Sequence, residues 1–361
     1  MDQRIDTLLS KMKKYKLDAF LIVDCTNMNS ERANTFYLSG FQGTASYILI
    51  THDAQYLFTD CRYIEYAKNN MKNFEILLYD KDFKNNFRKI IKKHKIKTIG
   101  FEKDIHFDIY TNFVKMSGGA VFKESSELLI EMRRVKDEHE IDLMRTAIKE
   151  NDKIFADILK YVRVGLTENQ IARKLRGLMD TGIREGEVFP TIIAADKNSA
   201  QPHYKTADCV IKSGDFLLMD FGVKVNNYCS DMTRTLIMGK PSAVQKKIYD
   251  IVLTAQLKAI KHIKSGVKAK DIDAVARDYI SSKGYGDAFG HGLGHGLGLE
   301  CHEFPVISPR SKDLLEEGMI FTVEPGIYLP EIGGVRIEDN VLVTKDGCEV
   351  LSSSPKELIC L

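Results

Sequence analysis

The chain has 361 residues, 44% of them apolar, enough for one large or two ordinary domains with a normal core. Lysine plus arginine number 52 against 50 acidic residues, a net charge of +2 with no basic block, which argues against a nucleic-acid partner. No run approaches the ~18 apolar residues of a membrane span, and Met1-Asp2-Gln3-Arg4 leads into an amphipathic segment and not an apolar signal core, which argues against a membrane protein.

The seven cysteines (Cys25, Cys61, Cys209, Cys229, Cys301, Cys348 and Cys360) are scattered, odd in number and form no C-x-x-C pair. That is the usage of reduced thiols in a cytoplasmic protein. Residues 1 to about 122 alternate two periodicities. Strand-like runs are Phe20–Val23, Tyr47–Thr51, Tyr56–Thr59, Phe74–Tyr79 and Thr98–Phe101; helical patterns are Ile5–Tyr15, Tyr63–Asn70 and Phe83–His94. The alternation predicts an α/β domain, 1–122, with a mixed sheet. Lys92-Lys93-His94-Lys95 reads as a solvated face, and Ser117-Gly118-Gly119 is a turn signal near the end of the domain.

A second domain, 123–361, opens with long helices. Ile141, Met144, Ala147, Ile148, Ile154, Ile158 and Val162 sit mostly at helical spacing, and Gly165 ends that run. Thr167 with Gln170 has the form of a capping box, starting a helix that runs to about Met179. Val164-Gly165-Leu166 and Gln170-Ile171 recur as Ser265-Gly266-Val267 and Asp271-Ile272. Each glycine follows one amphipathic helix and precedes another, and a β-rich stretch bearing carboxylates follows each pair. The domain therefore reads as two similar halves, roughly 125–240 and 241–361, with a site between them.

In the first half, Phe216-Leu217-Leu218-Met219-Asp220-Phe221-Gly222 is a buried-strand pattern, Asn226-Asn227 a turn, and Tyr228-Cys229-Ser230-Asp231-Met232-Thr233-Arg234-Thr235 a returning strand. An antiparallel hairpin with that turn sets Asp220 opposite Asp231, with something positive required between them. The competing structural reading has Asp231 capping a turn and Asp220 paired with an arginine such as Arg234. In the second half, Ile320–Tyr328 is a strand interrupted by Pro325-Gly326, and Val335-Arg336-Ile337-Glu338 returns after Ile332-Gly333-Gly334, burying Glu324 and Glu338. Buried carboxylates must neutralise, pair or bind metal.

Between the hairpins lies His291-Gly292-Leu293-Gly294-His295-Gly296-Leu297-Gly298-Leu299-Glu300-Cys301-His302-Glu303, with three of the nine histidines. Alternating glycines oppose a helix and suit an extended segment with one bare face, open to close approach by another backbone or a substrate. His291 and His295 share the other face. The stretch fits neither G-x-G-x-x-G, because position 297 is leucine, nor H-E-x-x-H, because Gly292 holds the glutamate position. Four carboxylates carry four negative charges, which two divalent cations about 3.5–4 Å apart would balance. Oxygen-rich ligation with one imidazole suits manganese first, with cobalt or iron as other candidates, and zinc is less well matched.

The ordered set Asp220, Asp231, His295, Glu324, Glu338 resembles the five metal ligands of the pita-bread metallopeptidases, the family of methionine aminopeptidase, prolidase, aminopeptidase P and creatinase. The segments MDFG, YCSDMTRT, GHGLGHGLGLECHEFP, TVEPGIY and GVRIEDN are similar throughout. RANTFYLSGFQGTASYILIT and FTDCRYIEYAK look like the creatinase-type N-terminal domain, and EMRRVKDEHEIDLMRTA like its helical link. Creatinase lacks the metal ligands, and methionine aminopeptidases usually lack such an N-terminal domain. The resemblance implies a creatinase-like α/β N-terminal domain and an α+β pita-bread catalytic domain with pseudo-twofold halves. It implies a homodimer that removes the residue before proline, as an Xaa-Pro aminopeptidase or alternatively an Xaa-Pro dipeptidase. A non-catalytic binding protein on the same fold is the reading of another class. By the same resemblance His203, His291 and His302 line the substrate cleft and Arg336 stands beside the second hairpin. On physical grounds His203 and His302 donate to the developing oxyanion, His291 holds the substrate backbone, Glu324, with a spare oxygen, shuttles a proton and Arg336 orients Asp220. Phe189, His203 and Tyr204 would wall the space for proline. One departure is Ala195-Asp196, where relatives commonly have glycine before Asn198-Ser199, which bears on the shape of that loop.

Overall fold

A computed structural model describes residues 2–24 and 33–361. Met1, Cys25 and Arg32, the first residue of the RANTFYLSG text, lie outside the described residues. Cys61, Cys209, Cys301, Cys348 and Cys360 are free thiols, and no helix among the described residues is long and apolar enough to cross a membrane.

Two compact units divide the chain, Met1–Arg133 and Arg134–Leu361. The first is built on strands β1 (Ala19–Asp24), β2 (Ser46–Thr51), β3 (Gln55–Thr59), β4 (Glu75–Leu78), β5 (Thr98–Phe101) and β6 (Val121–Glu124), in the order β4-β3-β2-β1-β5-β6. Two antiparallel pairings at β1–β2 and β2–β3 sit among parallel ones, so the sheet is mixed, as the alternating periodicities predict. Helices α1 (Asp2–Tyr15), α2 (Ala33–Ser39), α3 (Ile64–Asn70), α4 (Phe83–Lys93), α5 (Phe107–Ser117) and α6 (Glu127–Arg133) complete it around a core that includes Leu49, Phe58, Phe87 and Phe113. The turn at Ser117-Gly118-Gly119 leads into β6, which pairs with β5, so this compact unit runs on through α6 past residue 122.

The second unit is two versions of one plan. The first version has helices α7 (Glu138–Leu159) and α8 (Glu168–Met179) with strands β7 (Arg184–Glu187), β8 (Ile192–Ala195), β9 (Phe216–Phe221), β10 (Val223–Val225), β11 (Tyr228–Cys229) and β12 (Met232–Ile237). The second has α9 (Ala243–His262) and α10 (Ala269–Ser282) with β13 (Gly294–Gly296), β14 (Glu303–Ile307), β15 (Ile320–Val323), β16 (Gly326–Leu329), β17 (Gly333–Arg336), β18 (Asp339–Val343) and β19 (Cys348–Val350). Between each helix pair stands a glycine in the left-handed region, Gly165 at φ 91° and Gly266 at φ 84°. Its N–H donates to a returning chain, Gly165 to Ile211 O at 3.0 Å and Gly266 to Leu315 O at 2.8 Å. The reverse bonds, Ile211 N to Leu166 O and Leu315 N to Val267 O, are also matched at 2.9 and 2.8 Å. The short sequence repeat is thus a structural repeat. Closed capping boxes at Asp137, Thr167 and Ser242 start α7, α8 and α9.

The two halves are locked by Arg234, whose side chain is 1% exposed. It does not reach Asp220. Its fork instead crosses to the second half, donating to Asp339 Oδ1 at 2.7 Å, Glu338 O at 2.5 Å, Ser354 O at 2.9 Å and Pro355 O at 2.9 Å. Lys356 also contacts Asp339. Removing one partner of such a buried pair strands the other charge and several carbonyls. Arg234→Met is expected to cost about 3–5 kcal/mol of stability. Denaturant unfolding checks this, and a loss under about 1 kcal/mol would show that the seam is held by packing alone.

Candidate active site

The first hairpin turns on Asn226 and Asn227, both at positive φ (50° and 67°), the geometry of a two-residue turn. That turn pairs Val225 with Tyr228 and, further along, Asp220 with Thr233. Asp231 therefore lies diagonal to Asp220 and not directly opposite it, a shift of two positions from the sequence expectation. Even shifts keep the face, so both carboxylates still enter one cleft. The offset puts a hydroxyl, not a second carboxylate, across from Asp220 and relieves the like-charge clash.

The second hairpin is in direct register. Val323 faces Asp339 and Gly326 faces Arg336, so Glu324 and Glu338 oppose each other at the break between the two paired stretches. Each is tied to a neighbouring segment: Glu324 N donates to Leu293 O at 2.8 Å, and Glu338 N to Thr233 O at 3.1 Å. Asn340 Nδ2 holds the carbonyl of Asp231 at 2.6 Å. From α9, the buried Gln256 amide donates to Val323 O and Ile337 O, 3.2 Å each, clamping both strands beside the glutamates.

Between the hairpins, β13 runs with β14 on one side and β15 on the other. A Cβ at Gly294 would sit 1.9 Å from Thr322 O, so the bare face admits a neighbouring backbone. That packing presents His295. Its Nδ1 lies 3.0 Å from Gly296 O, and a carbonyl can only accept, so the proton is on Nδ1. Nε2 keeps its lone pair and points among the carboxylates, 3.7 Å from Asp231 Oδ2 and 3.5 Å from Glu324 Oε1. Burial lowers the pKa of this imidazole and so favours the neutral ligand form.

The donor set fits metal. Ligand atoms of Asp231, His295 and Glu338 lie within 4.8 Å of one another. Asp231 Oδ1 and Glu338 Oε1 are buried without a hydrogen-bond partner among the described residues, so each has lone pairs left unengaged there. Burial and then neighbouring carboxylates push Asp231 and Glu338 well above the ordinary range, and burial carries Glu324 up to about 7. Bound cations would reverse those shifts. The hydrogen bonds that do reach the carboxylates are mostly neutral. Thr233 Oγ1 donates to Glu338 Oε2 at 2.7 Å, Thr322 Oγ1 to Glu324 Oε1 at 3.3 Å and Cys301 Sγ to Asp231 Oδ2 at 3.4 Å.

The exception is Arg336, which donates to Asp220 Oδ2 at 2.5 Å, to Thr233 Oγ1 at 2.9 Å and to Tyr328 Oη at 2.9 Å. Tyr328 passes the chain on to His291 Nε2 at 2.8 Å, while His291 Nδ1–H donates to Gly292 O at 2.7 Å. Both nitrogens of His291 are thus engaged inside the protein, and burial holds its pKa down at about 4. His302 lies against His295 with ring centroids 4.3 Å apart, and His203 lines the same cleft from an exposed loop. All nine expected side chains line one cleft of about 660 Å³, with Phe189 and Tyr204 also in its wall. Asp196, at the departure noted in the sequence, takes φ 49° and opens a short 3₁₀ turn that keeps its neighbours in place, with aspartate tolerated where glycine would be free.

Sequence reasoning missed Thr233, Thr322, Tyr328 and Glu168. The first two stand two residues from an expected ligand, Asp231 or Glu324, at the spacing that shares a strand face, the signal that could have found them. Fully buried Glu168 gathers the loop carrying His203: its Oε1 accepts from Ala195 N at 2.8 Å and Asn198 Nδ2 at 2.9 Å, its Oε2 from Ala207 N at 3.1 Å.

Comparison with known proteins agrees with this architecture. Residues 4–135 match the creatinase/prolidase N-terminal domain, and 142–345 match metallopeptidase family M24. An Xaa-Pro dipeptidase of Pyrococcus horikoshii is 37% identical over 99% of both chains. The structure of an Xaa-Pro dipeptidase from Bacillus anthracis superposes with a TM-score of 0.94 at 39% identity, covering 99% of each chain. That of an X-Pro aminopeptidase from Thermotoga maritima superposes at 0.90 and 40% identity, covering 97% of this chain and 100% of the other. With a creatinase-type N-terminal domain followed in sequence by a pita-bread catalytic unit, the chain belongs to metallopeptidase family M24.

Proposed function

We propose that the chain is a two-metal exopeptidase that hydrolyses the bond between an N-terminal residue and a following proline. The observation that carries this is the convergence of Asp220, Asp231, His295, Glu324 and Glu338, with two buried carboxylate oxygens unpartnered. On this reading those five residues hold two divalent cations, manganese first among the candidates. When bound, the cations supply an acidified water and polarise the scissile carbonyl.

The remaining work falls to side chains. His203 and His302, both lining the cleft, donate hydrogen bonds to the oxygen that gains charge in the transition state. Glu324 carries the proton to the proline nitrogen as the leaving group departs. Arg336 fixes Asp220, and His291, through Tyr328, fixes Arg336; the engaged nitrogens of His291 suit that role better than a contact to substrate. A proline nitrogen has no N–H to satisfy, and the wall offers Phe189, Pro190, Ile192 and Tyr204 to its ring. Both substrate lengths, longer peptides with proline second and free Xaa-Pro dipeptides, fit this chemistry, and the named relatives include both kinds. A binding protein without activity is disfavoured by the complete ligand set.

Asp231→Ala is expected to lose metal content and turnover together; a variant keeping two metals and wild-type turnover would show the ligand assignment to be wrong. His203→Ala and His302→Ala are expected to keep metal while turnover falls by about 10²–10³, measured by metal analysis beside steady-state kinetics. Matched Xaa-Pro and Xaa-Ala substrates test specificity. The proline member should have much the larger kcat/KM, and equal values would refute the proline reading, as full-rate cleavage of an N-acetylated substrate would refute the exopeptidase one.

A further inference from the structure

The charged groups lining the cleft fall into two levels. At the floor lie the four carboxylates and Arg336, whose guanidinium is committed to Asp220, Thr233 and Tyr328 and is buried. The other cation in the wall is Lys205. It is exposed, and no hydrogen bond or ion pair engages its ammonium among the described residues.

Its backbone is nevertheless held on both sides. Ahead of it, Tyr204 N donates to Gln201 O at 3.1 Å. Behind it, Thr206 Oγ1 donates to Thr191 O at 3.1 Å and accepts from Ile193 N at 2.8 Å, and Ala207 N donates to the buried Glu168 carboxylate at 3.1 Å. The loop thus presents an unengaged ammonium from a fixed base, two residues from His203 and on the same cleft.

An Xaa-Pro dipeptide carries its carboxylate on the proline α-carbon, the atom next to the scissile nitrogen. A longer peptide has an uncharged amide at that place. With the floor carboxylates balanced by cations and Arg336 committed to Asp220, a dipeptide carboxylate needs an unengaged cation in the wall, and among the described residues lining the cleft that cation is Lys205. Resting on the Xaa-Pro peptidase reading, we infer that Lys205 is a specificity-determining residue that receives the α-carboxylate of free Xaa-Pro dipeptides and makes them the preferred substrate class.

The test compares kcat/KM for Ala-Pro and for its C-terminal amide, which differ only in that charge, using manganese-loaded wild type, Lys205→Met and Lys205→Arg. Wild type should prefer the acid. Lys205→Met should reduce the acid-to-amide ratio about tenfold, mainly through KM, the loss of one partly solvated charge-assisted hydrogen bond. Lys205→Arg should retain most of the preference, and added salt should narrow it in wild type. A wild type that prefers the amide, or a ratio unchanged in Lys205→Met, overturns this inference and leaves the Xaa-Pro reading standing. Failure of metal-loaded wild type to cleave either compound overturns the Xaa-Pro reading and this inference together.

Discussion

Four carboxylates converge on one guanidinium, and the catalytic unit is shaped by that imbalance. Asp220 has Arg336, but Asp231, Glu324 and Glu338 are drawn from water with no lysine or arginine paired to them among the described residues. Ionised carboxylates in such a place are costly unless they are paired or coordinated. Everything around them restrains geometry and leaves the charge in place. Threonine hydroxyls and a thiol orient three carboxylates without supplying a positive charge that would compete with a bound cation. The carbonyl of Gly296 sets the tautomer that leaves His295 Nε2 free.

The fold explains how such a cluster is held still. The ligands sit at strand ends and at a strand break, and each is tied by backbone bonds or by a buried amide to a neighbouring element. Gln256 reaches from its helix to both strands beside the glutamates, and Asn340 crosses from the second half to hold Asp231. The glycine-rich segment serves this purpose by having no side chain where Thr322 O passes. A larger residue at position 294 would push apart the two strands that bring His295 to Glu324.

Much of this was legible in the residues. The ordering of Asp220, Asp231, His295, Glu324 and Glu338 and the recurrent helix-glycine-helix plan could both be read directly, because hairpin parity and helical periodicity depend on spacing alone. The register of the first hairpin could not be read to better than two residues, because turn signals in a sequence locate a bend and not its hydrogen-bond pairing. Helix α2, with Thr, Phe and Tyr in a seven-residue span, and edge strand β6, with an exposed valine, carry too little periodic signal to be seen. Spacing in the sequence sets Arg234 near Asp220, but the register places it across from Met219 and its partners lie in the other half, over a hundred residues further on, about which spacing holds no information.

The division of the cluster between the two halves has a consequence for how a working molecule is made. A nascent chain that has emerged only through β12 owns Asp220 and Asp231 and nothing else of the proposed ligand set; His295, Glu324 and Glu338 follow with the second half. On the proposed ligand set neither half would hold the cations by itself, so capture of metal would record that synthesis has finished and both halves have docked. The same linkage would make bound ions a cross-half tether, adding binding free energy to the native state alone, and a molecule nicked between β12 and α9 would then surrender its metal as it came apart.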